Sequence, residues 1–212
     1  MNRRKQTSDL VLTAAFLAIL ILLSSVPFLG FIPIGPLNAT TLHIPVIIAS
    51  IVLGPKRGAF LGFCFGIISM IRNTIMITPL SFVFSPFVAP LGQTGMGSWQ
   101  AILVVLIPRI LIGILPFFVY KGCLALFKKR AKGVQLFIAG LSGGLINTIV
   151  TMNLIYFLFQ KEYASVIGES GRAIYAAILG VIFAQGVPEA LVAGIATAAV
   201  AAVLLRLTKR EL

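Results

Sequence analysis

The chain is 212 residues long, 59% hydrophobic and only 10% charged, with a mean hydropathy of +1.08, whereas a soluble domain sits nearer half apolar and a quarter charged. These values exclude a water-soluble globular domain and indicate an integral membrane protein, since a helix crosses the hydrocarbon core with roughly 20 residues. The formal net charge of +12 does not indicate nucleic acid, because the basic residues gather at the ends of apolar runs without aromatic interleaving or a nucleic-acid motif.

In chain order, helix 1 is expected at about Asp9 to Pro27, helix 2 at His43 to Leu53 and helix 3 at Gly58 to Ile75. Helix 4 follows at about Trp99 to Phe127, helix 5 at Val134 to Phe159 and helix 6 at Ala173 to Leu207. Helix 2 is short, covering about 17 Å at 1.5 Å per residue, so it must tilt, borrow from its flanks or cross only part of the bilayer. The expected fold class is an all-α integral membrane protein with six transmembrane helices, forming a single domain over residues 1–212. Arg3, Arg4 and Lys5 precede helix 1, and Lys56 and Arg57 separate helices 2 and 3. Lys128, Lys129, Arg130 and Lys132 separate helices 4 and 5, and Lys209 and Arg210 follow helix 6. Six crossings put every cluster on one side, which the positive-inside rule assigns to the cytoplasm together with both termini. The opposite loops, with Lys161, Glu162, Glu169 and Arg172, have no basic excess.

The N-terminus imitates a signal peptide, but its apolar stretch is too long and no small-x-small cleavage pattern follows. Cys64 and Cys123 lie in or at the end of apolar helices without metal or redox spacing and are read as packing residues. Asn38-Ala39-Thr40 matches a glycosylation sequon, a three-residue pattern common by chance.

Counting from the cytoplasmic anchors gives the depth of the polar residues. Arg109 lies about 28 Å up helix 4, Asn147 about 22 Å up helix 5 with Thr151 one turn higher, and Glu189 about 25 Å up helix 6 with Gln185 a turn beyond. Arg72 lies about 22 Å up helix 3, beside Asn73. Four helices thus carry polar groups in one band of the outer half. A charge near the bilayer centre costs at least about 2.5–3.5 kcal/mol, so it faces an interior or an aqueous cavity. Pro108 and Pro116 in helix 4 lack an N–H, which frees the carbonyls of Val104 and Ile112 for other donors. Two readings of the band stay open: a ligand pocket, or an Arg109–Glu189 ion pair that locks helix 4 to helix 6. Asn147, Thr151 and Gln185 suit interhelical hydrogen bonding as well as ligand contact.

LSFVFSPFVAPLGQTGMGSW (Leu80 to Trp99) and GFIPIGPLNATTLH (Gly30 to His43) are apolar but broken by proline and glycine. They are read as loops over the outer face, suited to closing on a small molecule or to resting among headgroups. His43, the lone histidine, is read as a helix-end hydrogen bonder rather than a ligand. Small-residue stripes, Ala14 and Ala18 on helix 1 and Gly58, Gly62 and Gly66 on helix 3, permit close helix approach in lipid. No P-loop, H-E-x-x-H or nucleophile with a base partner is present, and inverted repeats are not evident. An enzyme is therefore not expected, nor a metal site or a cofactor.

A small, basic, six-helix chain with A-x-x-x-A in helix 1 resembles the substrate-binding S components of energy-coupling factor (ECF) vitamin transporters. The stretch HIPVIIASIVLGPKRGAFLGFCFGIISMIRNT is similar to that family's helix 2–3 region, where L-G-P-x-x-G marks the cytoplasmic turn. PLSFVFSPF and W-x9-R-I-L-I-G look most like the pantothenate-specific members. The resemblance covers nearly the whole chain. It implies a multi-pass protein of the bacterial plasma membrane that binds a vitamin from outside between the outer halves of helices 4 to 6. It also implies association with the transmembrane coupling protein EcfT and two ATPases, which use the ATP, and toppling of the S component to deliver the vitamin. Ala14 and Ala18 match the helix 1 motif that packs against EcfT. Pantothenate would offer its carboxylate to Arg109, with Arg72 as a rival. Its amide and hydroxyls would meet Asn147, Thr151, Gln185 and Glu189, with Asn73 in the same band, while Phe84 and Trp99 would cover its apolar part. The alternatives are an S component for folate, riboflavin or cobalamin, and a structural or assembly membrane protein whose polar band only ties helices together.

Overall fold

The computed structural model describes residues 3–26, 30–34, 37–90, 92, 95–127 and 132–208. Helix α1 spans Arg3–Ser25, and a short antiparallel hairpin follows, β1 (Phe31–Ile34) on β2 (Leu37–Thr40), with Phe31 opposite Thr40. Helix α2 (His43–Leu53) and helix α3 (Pro55–Ile75) are separated only by Gly54. At φ 91° Gly54 adopts the left-handed backbone that a side chain disfavours, and Pro55 starts α3 where its missing N–H costs nothing. A 3₁₀ turn at Ser81–Val83 leads to α4 (Gln100–Phe127), then α5 (Lys132–Ile167). The last membrane helix is α6 (Arg172–Val181) joined through a π-helical segment, Ile182–Gly186, to α7 (Val187–Leu207).

The helical fold class therefore holds, with one addition: the loop between α1 and α2 folds into a hairpin. Among the described residues, five helical stretches are long and apolar enough to span a bilayer: 6–25, 55–75, 100–126, 132–167 and 172–207. α2 has the bounds expected for it and, with 11 residues, falls short of that length. α1 begins six residues earlier than expected because the basic N-terminal segment joins the helix. α5 runs past its expected end, but Phe159 has non-helical angles (φ −132°, ψ 29°), so the membrane segment breaks where the sequence placed its terminus. The basic clusters at 128–130 and 209–210 lie outside the described residues.

Helix contacts follow the small residues. A Cβ at Gly58 would strike the Gly113 carbonyl, one at Gly62 the Arg109 carbonyl, and one at Gly66 the Leu106 side chain at 2.6 Å. The α3 stripe is thus the seam with α4. Gly140 and Gly144 play the same part on α5, against Ala193, Thr197 and Ala190 of α7. In lipid, where burial gives no net hydrophobic gain, such backbone approach supplies the dispersion contact that holds helices together. α1 is attached differently. Arg57 pairs with Asp9 at one end, and Arg72 Nη1 donates to the Ser24 carbonyl at 3.1 Å at the other. Both pairings run in the same sense along the chain, so α1 and α3 are parallel.

Two apolar clusters stack along the bundle. One joins Phe16, Leu20, Ile47, Ile51, Leu61, Phe65 and Ile112 to Leu136, Ala193 and Ala201. The other joins Leu80, Phe82, Val83 and Val104 to Met152, Ile155, Phe159, Tyr163, Ile178 and Ile182. Leu80, Phe82 and Val83 are buried, whereas Phe87, Met96 and Trp99 are exposed, so the loop between α3 and α4 enters the core at its beginning. Along α4, α5 and α6–α7 the polar residues fall between the members of the two clusters.

Candidate functional site

Arg109 is the centre of that polar layer and is only 4% exposed. Pro108 precedes it and leaves the Val104 carbonyl without its helical donor. Arg109 Nη1 fills the gap, donating to Val104 O at 3.2 Å and to Thr151 Oγ1 on α5 at 3.0 Å. The carbonyl freed by the proline thus serves to aim the guanidinium. The Phe65 and Phe84 rings lie 5.5 and 5.4 Å from the guanidinium carbon, within the range at which ring faces stabilise a cation. Arg109 Nε is buried and has no hydrogen-bond partner.

The opposite wall comes from α6–α7 and the hairpin. The π segment contains Gln185 and ends at Gly186, where a Cβ would press on Thr148 of α5 at 2.8 Å; such segments widen a helix and recur at functional sites. Gln185 Nε2 donates to Glu189 Oε1 at 3.0 Å, and the Thr40 amide at the end of β2 donates to the same oxygen at 3.2 Å. The carboxylate of Glu189 therefore fastens the hairpin to the last helix. An Arg109–Glu189 ion pair, one of the two readings of the band, does not form: among the described residues the two side chains interact only at longer range across the site. The His43 ring lies against the backbone of Thr40 and Glu189, and neither ring nitrogen has a hydrogen bond of proper geometry. Asn147 on α5 is also buried, with Oδ1 unpartnered.

The remaining residues singled out by sequence stand elsewhere. Arg72 is turned to α1 through Ser24. Asn73 commits both ends of its amide, donating to Ser69 O at 2.8 Å and accepting from Ser81 Oγ at 3.3 Å. Through Ser81 it connects to the Thr78 hydroxyl, and with a separate Thr74–Ser85 hydroxyl pair this braces the turn carrying Phe84. Trp99, at 66% exposure, stands on the outside just before α4. Ala14 and Ala18 are both exposed on α1, free of internal packing. Sequence reasoning did not single out Thr40 or Phe65 for the site, and it read His43 as a helix-end hydrogen bonder rather than a ligand; His43 does stand at the start of α2, against the backbone of Thr40 and Glu189. Thr40 and Phe65 carry no signal of their own; His43 did, as the lone histidine beside an outer loop. Among the described residues no three His, Cys, Asp or Glu side chains converge to hold a metal.

What the layer offers is a cation whose Nε has no partner, an amide with a free acceptor and an imidazole against the hairpin's end, enclosed between aromatic and aliphatic walls. That set suits a small anionic molecule with further polar groups. Residues 8–201 match the family described as ECF transporter, substrate-specific component. The chain is 36% identical over 200 residues to the pantothenic acid transporter PanT of Lactococcus lactis subsp. cremoris, covering 93% of this chain and 94% of that one. It is 27% identical over 212 residues to the pantothenate transporter PanT of Leuconostoc mesenteroides, covering 97% and 96%. Its fold is similar to the crystal structure of the S-component for biotin from an ECF-type ABC transporter, with a TM-score of 0.52, 21% identity, and 100% and 96% of the two chains covered. With the family match spanning nearly its whole length, this multi-pass membrane protein belongs to the substrate-specific components of ECF transporters.

Proposed function

We propose that this chain captures pantothenate from outside the cell and delivers it inward with a coupling protein, EcfT, and two ATPases that supply the energy. The chain itself hydrolyses nothing. The observation that carries the reading is the buried Arg109 guanidinium, held by Val104 and Thr151 with Nε left over. A carboxylate is the natural complement of that group, and both relatives above are named for pantothenate. The ligand's amide and hydroxyls then fall to Asn147, Gln185 and Glu189, and its gem-dimethyl group to the aromatic wall at Phe84. In this reading Arg72, turned to α1, is not the carboxylate partner.

The orientation is part of the proposal. The parallel run of α1 and α3 requires the chain between them to return, so α2 serves as a short sixth crossing and both termini lie in the cytoplasm. The hairpin then sits on the outer face, fastened over the site by Glu189. Exposed Ala14 and Ala18 present a small-residue face on which EcfT packs closely.

A thermal-shift titration of the purified protein against a vitamin panel tests the reading. Pantothenate is expected to raise the unfolding temperature, with a stabilisation that grows as the logarithm of ligand concentration over Kd. A shift with biotin, folate, riboflavin or cobalamin alone would remove pantothenate as substrate. No shift with any of them would favour an assembly role.

A further inference from the structure

We propose that His43 is a substrate-contacting residue that reads a hydroxyl of the bound ligand, a role that rests on the pantothenate reading above. His43 is the first residue of α2 and is 1% exposed. Its ring lies against the backbone of Thr40 and Glu189, the two residues that join the hairpin to α7, yet both ring nitrogens lack a hydrogen bond of proper geometry. Buried polar groups are nearly always paired, and an exception calls for an explanation. Two further buried orphans, Arg109 Nε and Asn147 Oδ1, lie in the same polar layer, on α4 and α5. Three helices thus each present an unmet polar atom, which is what a site awaiting a polar molecule requires.

The chemistry of each orphan narrows its partner. Arg109 Nε can only donate, and its charge selects an anion. A neutral imidazole offers a donor on one nitrogen and an acceptor on the other. A hydroxyl is the simplest ligand group that answers either. With the carboxylate taken by Arg109, His43 joins Asn147, Gln185 and Glu189 among the groups left to meet the ligand's hydroxyls and amide. His43 also starts the helix directly after the hairpin that Glu189 fastens, so a hydroxyl held there would link α2 to the closed hairpin.

This role differs from a structural one in a measurable way. An imidazole that held helices together would weaken the ligand-free protein when replaced. One kept unpaired for a ligand imposes a cost that an apolar ring of similar size removes. The experiment measures Kd and ligand-free Tm of wild type, His43→Phe and His43→Gln, using pantothenate and an analogue with its hydroxyls replaced by hydrogen. His43→Phe is expected to bind pantothenate about ten- to a hundredfold more weakly with an unchanged or higher ligand-free Tm. Its preference for pantothenate over the deoxy analogue should shrink by the same factor, and His43→Gln should recover part of both. Binding by His43→Phe within about twofold of wild type would overturn the proposal, as would a fall in ligand-free Tm in both variants with the preference for the hydroxyls intact. If wild type binds a different vitamin, the pantothenate reading fails. The same two variants then decide on that vitamin whether His43 contacts it. If wild type binds no vitamin, both fail together.

Discussion

Replacing Arg109 by glutamine is the sharpest perturbation of the site. The variant keeps a polar but shorter side chain and removes the charge, the cation–ring contacts to Phe65 and Phe84, and the Nε donor. A hydrogen bond to a charged group contributes about 1.5–3 kcal/mol net. At 1.4 kcal/mol per decade this corresponds to a loss of about ten- to a hundredfold in affinity. Part of any loss will come from the pocket itself, since Val104 O and Thr151 Oγ1 also lose their shared donor. The alcohol analogue panthenol separates the two contributions, because it meets the same rearranged pocket without a carboxylate. By calorimetry, wild type should prefer pantothenate over panthenol by about that factor, and Arg109→Gln should bind the two about equally. A variant that still prefers the carboxylate by the wild-type margin would refute Arg109 as the anion partner and return Arg72 to consideration.

Gly62→Ala should lower Tm and weaken pantothenate binding, because the new methyl meets the Arg109 carbonyl at a cost of about 1–3 kcal/mol. Gly122→Ala, on the open side of α4, is the control and should leave binding unchanged. Asn73→Leu removes the contacts to Ser69 and Ser81. At about 1 kcal/mol for such a bond, titration should show pantothenate affinity falling roughly fivefold through the displaced Phe84. Ala14→Leu or Ala18→Leu, both on the exposed face of α1, should reduce uptake by reconstituted vesicles while calorimetry shows unaltered binding to the isolated chain. A parallel loss of binding would place those alanines in internal packing instead.

The helices were legible because lipid simplifies the code. Long apolar runs with basic ends leave few choices, and even the break at Phe159 fell where helix 5 was expected to end. The depth arithmetic brought Arg109, Asn147, Thr151, Gln185 and Glu189 into one layer because rise per residue is nearly constant in a helix. It gave no azimuth, however. Arg72 and Asn73 share the depth but project toward α1 and the 78–85 turn. The Arg109–Glu189 ion pair, one of the two readings the sequence left open, does not form for a similar reason, since each charge found nearer hydrogen-bond partners on its own side. The hairpin and the π segment escaped notice because both depend on long-range contacts, Thr40 with Glu189 and Gly186 with Thr148. No local pattern announces either. Phe65 lay hidden among many phenylalanines, distinguished only by what it stacks against.

The two attachments between α1 and α3 have a mechanical consequence. They are spaced by 15 residues on each helix, Asp9 to Ser24 and Arg57 to Arg72, a span of about 22 Å. Two fixed points along parallel rods remove sliding and leave only a swing about the line that joins them. α1 and α3 therefore behave as one beam. A load applied at Ala14 or Ala18 falls between the supports, where a beam passes force on without coming loose at either end. Beyond the beam lies the Gly62 seam with the Arg109 backbone, which has no side chain to compress. A push on the outside of α1 thus reaches the guanidinium through rigid parts, and Arg109 turns when the first helix is turned.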